Sequence, residues 1–323
     1  MALKQEVFLE VWDAKEGGNL VLDASGLRVD FDIRHIPGFS RASFTIYNLN
    51  EQTIQSLMNP GLYVTLKTQL HGGVVSILAD RFYVNNAHDE LTLPYRVTTL
   101  LCFDNLKLSY LETPVTLSVL PTPSLQDMIS SLLWEIGYGS TESTDFKSFP
   151  KGLLEENSKL QTRVLNGSAR DCLAKLEAEF NFTTYTVNGR FLFMYKPDLK
   201  NVNSTSLVDK APDVILTTNS MRSNPKIGIA TCTIHSNLNG AITPTSVLDL
   251  SQLLTVGTDS REQTLQLVDG YLKNFSSFSK YQAFAVTHTG SNYTADWSTR
   301  ITGISPTKGK LMPTVAWASR DYK

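Results

Sequence analysis

Cysteine is scarce and scattered: Cys102, Cys172 and Cys232 are the three in 323 residues. An odd number with no C-x-x-C spacing indicates neither a disulfide framework nor a zinc site, and fits folding in a reducing compartment. No apolar run is long enough to cross a bilayer, so no membrane-spanning segment is expected. The opening MALKQEVFLEVWDAKEGG lacks the charged start and long apolar stretch of a signal peptide. Positive charge is not in surplus either: 29 Lys and Arg stand against 31 Asp and Glu, a formal net charge of −2. A general binder of nucleic acid or anionic membrane needs the opposite balance.

The marks of common chemistries are also missing. There is no G-x-x-x-x-G-K phosphate loop and no G-x-S-x-G nucleophile turn. His35, His71, His88, His235 and His288 are spread along the chain without metal-ligand spacing, and read as surface or strand-end residues. Asp13, Asp23, Asp30 and Asp32 do not form a calcium loop. Trp12, Trp134, Trp297 and Trp317 are dispersed and read as packing residues. No catalytic residue, cofactor or metal is expected, and the chain reads as a non-enzyme.

Against these absences stands one strong pattern. In GLRVDFDIRHI (26–36), Leu27, Val29, Phe31 and Ile33 alternate with Arg28, Asp30, Asp32 and Arg34. A period of two marks a strand with one apolar and one wet face. Four charges on one face are many for a strand. Because Arg28 and Arg34 flank the two aspartates, ion pairing across strands is expected rather than acid–base catalysis.

Hydrophobic content of 41% and charged content of 19% are globular values, and the length suits two or three domains. Strand patterns at 6–12, 42–49, 62–70 and 74–87 fill the first third of the chain, with a short Asn50-capped helix between; LTLPYRVTTLLCF (91–103) reads as a further strand in which Pro94 signals an edge or bulge. Pro114, Pro121 and Pro123 then suggest a linker. Two helices follow, opened by Ser124 with Asp127 and by Ser168 with Asp171, both capping-box spacings. The stretch GSTESTDFKS reads as a surface loop, Cys172 as a small buried hydrophobe, and FTTYTV-NG-RFLFMY as a hairpin with a type I′ turn. Strands return at DVILTT, IGIATCTIHS, SVLDLSQ, YQAFAVTHTG and TRITGISP, with a helix expected over about 260–275. The plan is a β domain over 1–111, an α+β insert over 112–205 and a second β domain over 206–323.

Several of these stretches together resemble the baseplate hub proteins of contractile-tailed phages, which are related to type VI secretion spikes and contractile bacteriocins. The run GLRVDFDIRHIPGFSRASFTIYNLNEQTIQSL is similar to the hub opening, and ADRFYVNNAHDELTLPYRVTTLLCFDNLKL to the strand pair that completes the first barrel. NGSARDCLAKLEAEFNFTTYTVNGRFLFMYK resembles the helix-plus-hairpin module. IATCTIHSNLNGAITPTSVLDL and YQAFAVTHTGSNYTADWSTRITG resemble the second barrel, with His288-Thr289-Gly290 and Trp297-Ser298-Thr299 in the places of its H-x-G turn and W-x-T. One departure is Ser291-Asn292, where relatives often carry an acidic residue.

The resemblance implies a mainly β fold in which two tail-tube-type barrels flank the insert. It implies a homotrimer whose six barrels form a pseudo-hexameric ring, joining the hexameric tail tube protein to the trimeric central spike protein beside other baseplate proteins. Genomic DNA would pass through the channel without specific binding, and the ring would belong to the virion baseplate after assembly in host cytoplasm. Arg28, Asp30, Asp32 and Arg34 would then face the channel or a neighbouring strand. Two alternatives stand beside this reading: a tail-tip or tube-initiator protein of a non-contractile phage, and a cell-wall-degrading or glycan-binding β-protein.

Overall fold

The computed structural model describes residues 5–13, 18–70, 73–92, 94–106, 113–119, 124–138, 146, 149, 163–196, 211–227, 231–254, 280–294 and 296–304. The strands are β1 (Gln5–Asp13), β2 (Leu20–Asp23), β3 (Val29–His35), β4 (Arg41–Tyr47), β5 (Leu62–Leu70), β6 (Val75–Thr92), β7 (Tyr95–Phe103), β8 (Pro114–Val119), β9 (Arg163–Ser168), β10 (Phe182–Val187) and β11 (Arg190–Tyr195), continuing with β12 (Val214–Ile215), β13 (Lys226–Ile227), β14 (Thr231–Asn237), β15 (Val247–Asp249), β16 (Lys280–Ser291) and β17 (Ser298–Ile304). The helices are α1 (Glu51–Leu57), α2 (Leu125–Glu135), α3 (Ala169–Phe180) and α4 (Ser251–Leu254). The fold is mainly β with an α+β insert, as the sequence pattern predicts.

One sheet runs the length of the molecule in the order β13-β14-β17-β16-β3-β4-β7-β6-β5-β1-β2, with β15 added on β16 and β12 on β15. Strands from the two ends of the chain therefore meet at β16 and β3. Each half has its own core. Val7, Leu9, Phe44, Phe82 and Leu100 fill one, and Cys232, Ile234, Leu248, Val286 and Ile301 the other. These residues occupy alternate positions of their strands, which is why period-two patterning placed them inward.

The insert gathers β8–β9, α2, α3 and β10–β11 around a third core. Helix α2 starts where Ser124 accepts from the Asp127 amide and the Asp127 carboxylate accepts from the Ser124 amide, and it stops at Gly137 with φ +80°. It buries Leu125, Met128, Ile129, Leu132 and Leu133, each contributing about 1.5–3 kcal/mol of transfer free energy. The expected type I′ turn is present, with φ +52° at Asn188 and +74° at Gly189.

Three expectations are corrected. The segment after residue 112 is not a plain linker: β8 pairs with β9 in register from Pro114↔Ser168 to Val119↔Arg163, a partner too far along the chain for local pattern to signal. Pro94 lies outside the strands, at the turn that follows the edge segment of β6. Thr92 pairs with Tyr95, so Pro94 sits in a two-residue hairpin turn where its missing N–H costs no ladder bond. Of the polar stretch 139–148, Phe146 is described; it is half-buried and its ring stacks on Phe193 at 5.0 Å, packed against the insert core. The rest of that stretch and the helix expected over 260–275 lie outside the described residues.

Candidate functional site at the sheet seam

Strand β3 is the seam. It pairs with β4 on one side, Val29↔Ile46 to Arg34↔Arg41, and with β16 on the other, His35↔Val286 to Asp30↔Ser291. Its inner face is Val29, Phe31, Ile33 and His35, all buried. The turn after β16 locks the start of the strand. The Asn292 side-chain amide donates to the Leu27 carbonyl while its Oδ1 accepts from the Val29 amide at 2.9 Å, and the Asn292 amide donates to the Val29 carbonyl at 3.1 Å. Behind the clasp, Trp297 is buried, meets Phe31 edge to face at 6.0 Å and donates its indole N–H to the Ser291 carbonyl. Asparagine serves here because one side chain must both donate and accept. Asn292→Asp removes the donor and sets a carboxylate against the Leu27 carbonyl, so it is expected to cost about 2 kcal/mol, read as a lower urea midpoint. Unchanged stability would mean the clasp is not holding the seam.

On the wet face of β3 lie the four charged residues singled out from sequence. They pair along the strand, not across it: Arg28 to Asp30 at 3.6 Å and Arg34 to Asp32 at 2.6 Å. The correction has a simple cause. Asp30 faces Thr45 and Ser291, and Asp32 faces Ser43 and Thr289, so no cation stands across from either. Asp30 also accepts the Tyr47 hydroxyl at 2.7 Å, which pushes the Tyr47 phenol upward. The Arg28 guanidinium lies 4.1 Å from the centre of the Tyr47 ring and 5.0 Å from that of Tyr293. The more exposed Arg34–Asp32 pair contributes little to stability. The Arg28–Asp30 pair is more enclosed, with Arg28 Nε and Asp30 Oδ1 buried without a hydrogen-bond partner among the described residues.

That surface continues past β3 in both directions. Arg41, Ser43 and Thr45 of β4 and Thr287 and Thr289 of β16 lie alongside, followed by Ser298 and Arg300 on β17 and His235 and Asn237 on β14. It is a hydroxyl-rich face of mixed charge spanning both halves of the sheet. Followed the other way from Arg41, the same transverse row turns aromatic: Phe103, Tyr83, Tyr63 and Trp12. Two strand edges lack full partners among the described residues. Beyond Tyr83, β6 pairs only with β7, which leaves the outer edge of Val84–Thr92 open. The outer edge of β14 is covered by two residues of β13 and a bridge from Met221.

The histidines contain the largest departure from the sequence reading. His35 and His288 are not at the surface; both are 1% exposed, and their rings meet edge to face at 5.6 Å. Burial holds both neutral, lowering His35 to about 3, with His288 adding to the effect, and His288 to about 4. His35 Nδ1 is 2.7 Å from Ser40 Oγ, the spacing of a nucleophile and its base, yet neither is reachable from solvent, so the contact is structural. A signal was present. His35 continues the inward register Leu27, Val29, Phe31, Ile33, and its position predicts burial better than its residue type does. Of the tryptophans, Trp297 is core, Trp134 is 69% exposed on α2, Trp12 is half-buried, and Trp317 lies outside the described residues. Among the described residues no group of three His, Cys, Asp or Glu could hold a metal, and no helix is long and apolar enough to cross a membrane.

No protein-family model matches the chain, and no curated protein matches it in sequence. Solved structures do match in shape. A 43 kDa tail protein of prophage MuSo2 from Shewanella oneidensis is 8% identical, with a TM-score of 0.50 over 94% of this chain and 98% of that one. A tail protein from Neisseria meningitidis MC58 is 8% identical, with a TM-score of 0.49 over 93% and 96%. The Escherichia coli c3393 protein, described as a type VI secretion component similar to the T4 phage tail proteins gp27 and gp5, is 9% identical, with a TM-score of 0.49 over 88% and 77%. The chain shares the fold of the prophage tail protein along nearly its whole length.

Proposed function

We propose that the chain is a structural subunit of a phage-type tail, a baseplate hub that trimerises into a pseudo-hexameric ring between the hexameric tube and the trimeric spike. The observation that carries this reading is the single sheet through β16 and β3, with one core under each half and one polar face across both. Three copies would contribute six such half-sheets, matching a sixfold tube on one side and a threefold spike on the other. The open edges of β6 and β14 favour assembly, because unpaired strand edges are aggregation hazards unless a neighbour covers them. A permanent trimer of this kind buries a few thousand Å², on the order of 2,000–5,000 Å².

In the ring, Arg28, Asp30, Asp32 and Arg34 face the channel with their charges summing to zero. DNA is held where phosphates displace counterions onto clustered Lys and Arg. The lumen would be mostly hydroxyls and paired charges, with one transverse row of arginines, Arg41, Arg34 and Arg300, as the place where a passing polyanion makes contact. Contacts with the tube, the spike and other baseplate proteins fall on the two rims of the ring, in a virion assembled in host cytoplasm. No step of this role needs a catalytic group.

The test is the assembly state of the purified full chain. Light scattering is expected to give about three times the mass of one chain, and particle images a ring with a central hole. A stable monomer, or a monomer that clears a cell-wall suspension, would overturn the hub reading. A trimer whose four charged residues lie on the outer rim would overturn the channel assignment alone.

A further inference from the structure

We propose that the His35–His288 contact is an acid-operated release of the joint between the sheet and the insert. The proposal rests on the fold and does not depend on the role in a tail. Three parts of the chain meet at this contact. His35 belongs to β3, His288 to β16, and the hairpin β10–β11 of the insert arrives through Ser40. The Ser40 hydroxyl donates to the Thr186 carbonyl, its amide donates to the same carbonyl at 3.2 Å, and the Asp104 amide donates to the Ser40 carbonyl at 3.0 Å. Gly38 exchanges two further backbone bonds with Thr184 and Thr186. Asp104 closes the joint by accepting from the amides of Gly189 and Asn188 at the hairpin tip.

The hydrogen bonds fix where protons sit. Ser40 has one hydroxyl proton, and it goes to the Thr186 carbonyl, which can only accept. His35 Nδ1 must therefore carry the proton it shares with Ser40 Oγ, leaving Nε2 bare. On His288 a ring N–H donates to the Ile242 carbonyl, while Thr299 Oγ1, which accepts from the Asn239 amide, has its own proton for Nδ1. His35 Nδ1 and His288 are thus partnered while both rings are neutral, and an added proton falls on the bare His35 Nε2 in the core. The ionisable groups facing the pair among the described residues are the two rings themselves and, behind Ser40, Asp104. Arg34, Arg41 and Arg300 point to the wet face of the same strands.

A charged His35 must reach water, and the insert side yields first. The hairpin is held to the sheet by the bonds at residues 38–40 and Asp104, by the Asp80 amide donating to Asn188 Oδ1 and by Tyr185, Val187, Leu192 and Met194 packing with Phe284 and Ile304. The seam has its ladder from Asp30 to His35, the Asn292 clasp and Trp297. The bonds at 38–40 adjoin His35 directly through Ser40, so release begins there. Asp104 opposes release. Burial raises it to about 6, so the closed joint takes up a proton there before the open one does.

Hydrogen exchange of the full chain, corrected for intrinsic rates, tests this at the amides of Gly38, Ser40 and Thr186. From pH 7.5 to 5.0, uptake by a released His35 multiplies opening by about thirtyfold and Asp104 divides it by about tenfold, so protection is expected to fall about threefold. In Asp104→Asn it is expected to fall about thirtyfold, and in His35→Asn to rise about tenfold. Protection at the seam amides of β3 and β16 is expected to fall less. Constant or rising protection in the unsubstituted chain, or an equal fall at the seam, would overturn the proposal.

Discussion

Gly290→Ala is expected to lower the unfolding free energy by about 3 kcal/mol, near the top of the range for overpacked cores, while Gly26→Ala leaves it unchanged within about 0.5 kcal/mol. A Cβ at Gly290 would sit 2.6 and 2.9 Å from ring carbons of Phe31 and 3.2 Å from Trp297 Cδ1. Neither ring can step aside: Phe31 is held between strands in the core, and Trp297 is buried with its indole N–H tied to Ser291. The backbone of Gly290 is outside the left-handed region, so the cost is steric and local. Gly26 has nothing within 4 Å of the same added carbon. Urea unfolding of the two variants beside the parent chain measures the difference. Equal stability of the two would mean that Phe31, Gly290 and Trp297 do not pack as described. Trp297→Ala is expected to be at least as severe, about 3–5 kcal/mol, because it leaves a large cavity and removes the indole bond together.

These residues show what was legible in the sequence and what was not. Strand β3, the Ser124 capping box, the Ser168 cap and the Asn188-Gly189 turn were readable because each is dictated within a few residues, by side-chain alternation, by a hydroxyl three positions from a carboxylate, or by two positive backbone φ angles. The seam was not readable, because His35 and Val286 pair across most of the chain and β-pairing leaves no local mark of its partner. The same holds for β8, taken for linker on account of its prolines although Pro114 sits at the first strand position, where proline is tolerated. The direction of the ion pairs on β3 was missed for a related reason. Cross-strand pairing is the common arrangement, but it needs a cation opposite, and only the register supplies Ser43, Thr45, Thr289 and Ser291 there.

The polar face and the buried pair are two sides of one strand, and they answer to different physics. Outward, Asp32 and Arg34 trade water for one another at little net free energy, whereas Arg28 and Asp30 keep one buried atom each without a hydrogen-bond partner among the described residues. Inward, every polar atom must find a partner or carry a desolvation cost of about 1–3 kcal/mol. Histidine is costliest in a core when charged, and Nδ1 of neutral His35 and of neutral His288 each meets a hydroxyl. The inner face of the strand thus relies on groups that tolerate neutral pH and resist charging in acid.

Global stability is accordingly expected to fall by about 2 kcal/mol from pH 7.5 to 5.5. The sign follows from which state binds protons. Both histidines are lowered in the fold, to about 3 and about 4, from an ordinary value near 6.5. Below pH 6.5 the unfolded chain takes up protons at both that the fold refuses, so their contribution is complete above 6.5 and shrinks as pH falls toward 4; His235, lowered by burial and by Arg300 and Arg222, acts in the same direction. At pH 5.5 His35 and His288 have each lost about 1.4 kcal/mol, and this loss is insensitive to how far below 5 the folded values lie. Asp104 runs the other way. It is raised to about 6 in the fold from 3.8, so the fold binds its proton first and regains about 1 kcal/mol over the same interval. Urea midpoints across pH 7.5 to 5.5 measure the sum. Asp104→Asn removes the compensating group and is expected to steepen the loss to about 3 kcal/mol. Replacing both histidines by asparagine is expected to remove most of this loss. A parent chain with level stability over this interval would mean that the two rings are not neutral partners in the core.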